Sequence, residues 1–99
     1  MRAYVLVGLL MAAPCALAQD RAAIDAGAQV YADNCAICHG DRLINNGTAF
    51  DLRQLRADER PRFDRAMADG KGQMPAWEGV LSDEEIEQVW AYIRSKAVN

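Results

Sequence analysis

Cysteine, histidine and proline are scarce in this chain: three, one and three among 99 residues. So few thiols and imidazoles exclude a multi-bridge disulfide scaffold and a zinc module built from paired Cys/His motifs. An excess of positive charge is missing as well. Eleven basic residues face 14 acidic ones, a formal net charge of -3, which argues against a nucleic-acid binder. Long apolar runs are also absent, since the uncharged stretch Ala3–Ala18 is shorter than the roughly 18–20 residues a membrane span needs. What is present is a globular composition, 52% hydrophobic and 25% charged, at a length that supports one small domain.

The first 18 residues read as an address. Met1-Arg2 gives a short positive start, Val5, Leu6, Val7, Leu9, Leu10 and Met11 an apolar centre, and Ala16-Leu17-Ala18 a small-residue cleavage site. This is the layout of a secretory signal peptide, with cleavage expected after Ala18 and export to the periplasm. Pro14 interrupts the end of the run, which disfavours an uncleaved anchor, and it precedes Cys15 where a lipidated cysteine would take a small residue. Cleavage removes Cys15, so residues 19–99 keep Cys35, Cys38 and His39 as their only cysteines and histidine.

The remaining chain reads as helical. Ile24, Gly27, Ala28 and Tyr31 follow one helix face, predicting a first helix over 24–35. Residues 40–55, with Asn45-Asn46-Gly47, read as a loop holding at most one helical turn. A second helix is predicted over 58–69, with Pro61 in its first turn, Phe63, Ala66 and Met67 on one face, and Gly70 at its end. A Gly/Pro-containing loop, residues 70–75, leads to the last helix. There Ser82 and Glu85 form a capping box and Leu81 and Ile86 a hydrophobic staple. Asp83, Glu84 and Glu85 complement the helix dipole, and Ile86, Val89, Trp90 and Ile93 form a buried stripe. No hairpin or strand pattern interrupts this, so the fold class is all-α.

The chemistry-bearing residues are Cys35-Ala36-Ile37-Cys38-His39. C-x-x-C-H is the attachment sequence of a c-type haem. Thiols one turn apart share a face and can each form a thioether to one porphyrin, while His39 is placed to ligate the iron. A closed zinc site would lack further Cys or His ligands. A thioredoxin-like pair would need a βαβ context that is missing, and a disulfide across so short a loop stabilises little. For the second axial position the candidates are Met67 and Met74. Met67 lies on the apolar face with Phe63, where methionine usually packs; Met74 lies in the Gly/Pro loop and is the favoured ligand.

With these residues the sequence resembles the small class I, monohaem c-type cytochromes. The likeness runs through Gly27 and Tyr31, Cys35-Ala36-Ile37-Cys38-His39-Gly40, Met74-Pro75-Ala76-Trp77, and Leu81 to Ile86 leading into Val89-Trp90-Ala91-Tyr92-Ile93. It implies three to four helices around one covalent haem c, with the first and last helices crossing and Gly27 admitting Trp90. It also implies a methionine ligand on the loop before the last helix, with Lys71 near the haem edge. In one respect the sequence departs from the family. Relatives carry a proline about ten residues after the motif whose carbonyl accepts from the axial histidine. Here Phe50 occupies that place in Gly47-Thr48-Ala49-Phe50-Asp51-Leu52, and no proline lies between His39 and Pro61.

The function expected from this resemblance is one-electron transfer between periplasmic oxidoreductases through a His39/Met74-ligated haem iron, without enzymatic activity. The alternative is a haem-based ligand-binding or peroxidase-type protein with an open or displaceable distal position, in which Arg or Tyr would have to do the acid–base work. A third possibility is a subunit docked permanently on a larger oxidoreductase. Asp51-Leu52-Arg53 resembles a stretch in cytochromes that serve quinoprotein alcohol dehydrogenases, suggesting such an enzyme as donor and a terminal oxidase as acceptor. The run Arg53, Arg56, Arg60, Arg62 and Arg65 reads either as a solvated helix face or as a docking or haem-propionate surface.

Overall fold

The computed structural model describes residues 12–98, and of residues 12–16 only the backbone. Four α-helices follow one another: α1 (Ala12–Asn34), α2 (Ala36–His39), α3 (Arg60–Asp69) and α4 (Asp83–Ser95). Three short 3-10 turns, Asp41–Leu43, Leu52–Gln54 and Ala57–Glu59, lie between α2 and α3. Among the described residues there is no strand, only isolated bridges pairing Lys71 with Met74 and Glu78 with Leu81. The all-α expectation therefore holds.

The largest helix contact is between α1 and α4. It is made possible by Gly27: a Cβ built there would lie 1.9 Å from the Gln88 carbonyl oxygen and 3.0 Å from the Val89 nitrogen. The two helix backbones meet at that point with no room for a methyl group. The expected approach to Trp90 is thus corrected to the backbone one and two residues earlier. Trp90 itself is half-buried and packs on Phe63 of α3, ring centroids 5.0 Å apart.

Beside this crossing sits one apolar core: Tyr31, Leu43, Leu55, Phe63, Met67, Leu81, Val89, Tyr92 and Ile93. Helices α1, α3 and α4 and the turns around Leu43 and Leu55 all contribute to it, and Met74 and Trp77 of the loop before α4 pack against it partly buried. Tyr92 belongs to this core although the sequence stripe omits it. Its ring stacks obliquely on Tyr31 at 5.4 Å across the α1–α4 crossing.

Local signals fixed the helix ends. The Ser82 hydroxyl accepts from the Glu85 amide at 3.0 Å, and the Glu85 carboxylate accepts from the Ser82 amide at 2.8 Å. Leu81 is buried and Ile86 packs against the same core, the staple expected beside the box. Pro61 occupies the first turn of α3, and Gly70, at φ +76°, closes it. Three boundaries differ from expectation. Helix α1 starts at least twelve residues before Ile24, because the alanine-rich stretch favours helix by propensity where nothing packs; residues 17–22 are exposed. The loop over 40–55 contains two 3-10 turns, not one. The start of the second predicted helix winds as 3-10 before Arg60, as helix N-termini often do. Of the leader segment, residues 1–11 lie outside the described residues.

Replacing Gly27 by Ala should force the α1 and α4 backbones apart. Overpacking of this kind costs about 1–3 kcal/mol, so the thermal midpoint of the Gly27→Ala holoprotein should fall clearly, with the helical content unchanged at low temperature. An unshifted melting curve would show that the contact is not as close as described.

Candidate haem-binding site

The haem-attachment motif begins where α1 ends. The Cys35 amide still donates to the Tyr31 carbonyl (2.8 Å), continuing the helix ladder, and the chain then turns into the single turn α2. The Cys35 carbonyl accepts from both the Cys38 amide (3.2 Å) and the His39 amide (3.0 Å). This hydrogen bonding places the two sulfurs one turn apart, with His39 next in line. Both thiols are free, Cys35 half-buried and Cys38 exposed. Burial, and secondarily the nearby Cys38, pushes the Cys35 thiol up to about 11. A thioredoxin-like pair sits in a βαβ context, whereas here the two cysteines follow a long helix and no strand occurs among the described residues. Among the described residues no group of three or more His, Cys, Asp or Glu side chains is arranged to hold a metal ion.

The turn is locked from behind. Gly40 has φ +98°, and a Cβ there would fall 1.8 Å from the Ile44 carbonyl oxygen, so the chain can pass only as glycine. Its own carbonyl accepts a 2.6 Å hydrogen bond from the Tyr31 hydroxyl, which is 1% exposed. Desolvation, with the Cys35 charge adding to it, raises the Tyr31 phenol well above its ordinary value and keeps it a proton donor. The sequence places Tyr31 on an apolar face; the one signal for its role is that a buried tyrosine hydroxyl needs a partner.

His39 is half-buried, and its Nδ1 lies 3.0 Å from the Phe50 carbonyl oxygen. A carbonyl can only accept, so Nδ1 carries the proton and donates. Nε2 makes no hydrogen bond among the described residues, and in this tautomer its lone pair is available for a metal. The residue at the usual proline position thus supplies the same carbonyl. The loop that carries it is held by its own side chains. Asn45 accepts from the Gly47 amide at 2.8 Å and donates to the Ala49 carbonyl at 2.8 Å, and Asn46 accepts from the Thr48 amide at 2.9 Å.

The two methionines differ in the way their sequence settings predict. Met67 is 3% exposed and belongs to the core. Met74 is half-buried at the core's edge, in a turn where Lys71 and Met74 exchange backbone hydrogen bonds of 3.0 and 2.9 Å. Gly70 lies against this turn, since a Cβ there would be 2.5 Å from the Met74 carbonyl oxygen. The loop is therefore fixed at both ends while its thioether stays partly uncovered. Cys35, Ala36, Leu52, Met74 and Trp77 all pack against the core without being buried, and Phe50 is 43% exposed. Two thiols, one imidazole with an uncommitted nitrogen and a thioether, set among half-covered apolar side chains, fit a covalently held haem.

The arginine run resolves as a set of ion pairs. Arg53 pairs with Asp51 (3.1 Å), Arg56 with Asp58 (2.8 Å), Arg62 with Glu59 (3.2 Å), and Arg60 with both Asp64 and Glu87 (2.6 Å each). Hydrogen bonds from these arginines hold the Asp51, Asp58 and Glu87 carboxyls below the usual range, and the Arg56 backbone amide, then Arg62, does the same for Glu59. Of that run only Arg65, and beyond it Lys71, makes no ion pair among the described residues. A largely self-neutralised helix face is the reading the geometry favours over a basic docking patch. Asp51-Leu52-Arg53 is a local clamp within it.

Comparison with known proteins gives a consistent set of likenesses. A family model described as cytochrome c oxidase, cbb3-type, subunit III matches residues 22–93. Cytochrome c6 of Euglena gracilis is 40% identical over 78 residues, 72% of this chain and 90% of that protein. Cytochrome c6 of Leptolyngbya boryana is 38% identical over 77 residues, 73% and 91% of the two chains. The quinohemoprotein alcohol dehydrogenase ADH-IIG of Pseudomonas putida is 31% identical over 86 residues, 85% of this chain but only 12% of the enzyme. No solved structure matches.

Tyr31→Phe tests the rear lock of the turn. Leaving the buried Gly40 carbonyl without its donor should cost about 1–3 kcal/mol, read as a lowered denaturant midpoint with an unchanged slope. Equal stability of the two proteins would mean that water or another donor satisfies the carbonyl.

Proposed function

The chain belongs to the family of small monohaem c-type cytochromes, and from that premise we propose that it passes electrons between exported oxidoreductases through a haem ligated by His39 and Met74. It is an electron carrier and not an enzyme, and its cofactor is one covalently bound haem c. The haem iron supplies the one-electron couple; the chain's own residues set its surroundings.

Cys35 and Cys38 would tie the group down, and His39 offers Nε2 because its Nδ1–H donates to the Phe50 carbonyl. That hydrogen bond is the single observation that carries the ligand assignment. Met74 is the thioether on the other side, since Met67 is fully engaged in the core. With His39 and Met74 both holding the iron, no position on it would be open to oxygen or peroxide, which would suit outer-sphere transfer. Leu52 and Trp77 offer partly buried apolar surface at the edge of the core, which would help to keep water from a bound haem.

Export rests on the leader reading, with cleavage after Ala18 and a periplasmic mature chain. Cleavage there leaves α1 from Gln19 onward intact and removes only exposed or undescribed residues. No described helix is long and apolar enough to cross a membrane. For the electron donor, the likeness to a short part of a quinohemoprotein alcohol dehydrogenase supports a quinoprotein dehydrogenase.

Met74→Ala should abolish the sulfur-to-ferric-iron absorption band and lower the midpoint potential, with the haem still covalently attached. Met67→Ala should keep the band and lose about 2–5 kcal/mol of stability, as buried Met→Ala changes do. Loss of the band in Met67→Ala, and its survival in Met74→Ala, would reverse the assignment.

A further inference from the structure

A proline at position 50 would fix its own φ and so hold the acceptor carbonyl still; Phe50 has no such restraint. What it has is a cation over its ring. The Arg62 guanidinium carbon lies 4.5 Å from the Phe50 ring centroid. Arg62 is in turn held at 3.2 Å by Glu59, whose carboxylate also accepts from the Arg56 amide at 2.9 Å and so is fixed to the turn that opens α3. Helix α3 is anchored by Phe63 and Met67, 5% and 3% exposed. A continuous chain of contacts thus runs from the core through α3, Glu59 and Arg62 to Phe50, and from the Phe50 carbonyl to His39 Nδ1.

We propose that Arg62 is a positioning residue: stacked on Phe50, it does for this loop what proline does in relatives, and holds the Phe50 carbonyl on His39. The neighbouring tethers do not replace it. Asn45 fixes the Ala49 carbonyl and Arg53 fixes the Asp51 carboxylate, one on each side, but neither bonds to Phe50. The consequence is chemical as well as structural. An imidazole that donates firmly from Nδ1 is a more basic ligand at Nε2. It favours the ferric state, so loosening the bond raises the potential. Removing a nearby positive charge by itself also favours the ferric state, and so lowers the potential. The two roles open to Arg62, positioning and plain charge, therefore differ in sign.

This inference rests on His39 being the proximal ligand, and the test separates the two. In the reduced holoprotein, NMR follows the solvent exchange of the His39 Nδ1 proton, and titration gives the midpoint potential, for wild type, Arg62→Gln, Arg62→Lys, Phe50→Leu and the Phe50→Leu/Arg62→Gln double variant. An exposed cation–π contact supports about a two- to fivefold faster exchange in Arg62→Gln, together with a raised potential. Arg62→Lys, which keeps the charge but not the planar stack, should fall between wild type and Arg62→Gln, and Arg62→Gln should add nothing once Phe50 is Leu. Unchanged exchange, a lowered potential in Arg62→Gln, or an undiminished effect in the Phe50→Leu background would overturn the proposal while leaving the ligand assignment standing. If the wild-type His39 protons lack the large ring-current shift of an iron-bound imidazole, the ligand assignment falls and the proposal with it.

Discussion

The close passage of α1 over α4 at Gly27 positions nearly everything else in this protein. With the α1 backbone against the Gln88 carbonyl, the next turn of α1 brings Tyr31 onto Tyr92. The Tyr31 hydroxyl then reaches the Gly40 carbonyl. The attachment turn from Cys35 to Gly40 is thereby pinned at one end by the helix it extends and at the other by a hydroxyl from inside the core. A methyl group at Gly27 would act on the Cys35–Gly40 turn from a distance, through four residues of helix to Tyr31 and the Tyr31 hydrogen bond to Gly40. This is why a small glycine in a helix interior, normally unfavourable by about 1 kcal/mol, is tolerated here.

The protein's size explains the rest of its architecture. The proposed cleavage after Ala18 would leave 81 residues, near the limit at which a single apolar core is stable without a further constraint. Among the described residues nine buried side chains make up the core, and Cys35, Ala36, Leu52, Met74 and Trp77 are among the rim that packs against it half-covered. That rim is a surface made to meet an apolar disc. A haem attached at Cys35 and Cys38, as proposed, would complete the core and also serve as the redox centre, so stability and function would share the same few residues. The surface ion pairs around α3 contribute less, as exposed pairs do. Their larger effect is to fix Glu59 and Arg62 beside Phe50.

The sequence was legible where a feature depends on neighbours in the chain. Ser82 and Glu85 declare a helix start because the box closes within one turn, and Pro61 and Gly70 bracket α3 for equally local reasons. C-x-x-C-H was legible as a haem-attachment pattern because it stands in a chain with no other cysteine or histidine after residue 18. Features that depend on distant parts of the chain were not legible. Trp90 was expected against Gly27, but only the fold shows that it turns to Phe63. Tyr92 lies outside the apolar stripe of α4 and is buried because Tyr31 comes to meet it. Four of the five arginines in the run 53–65 look like a basic face until the fold supplies their carboxylates. The Phe50 carbonyl is the clearest case. Every residue has a backbone acceptor, so replacing proline by phenylalanine erased the sequence signal and left the hydrogen bond in place.

The central claim is that both axial positions of the iron are taken by this chain, which makes the protein a carrier and not a binder of small ligands. Carbon monoxide tests this most directly, because it binds ferrous haem wherever a coordination position is open. Mixed with the reduced protein at neutral pH, it should leave the absorption spectrum unchanged over the seconds in which an open site would fill. Rapid, saturable formation of a carbon monoxide spectrum by the wild-type protein would contradict the account.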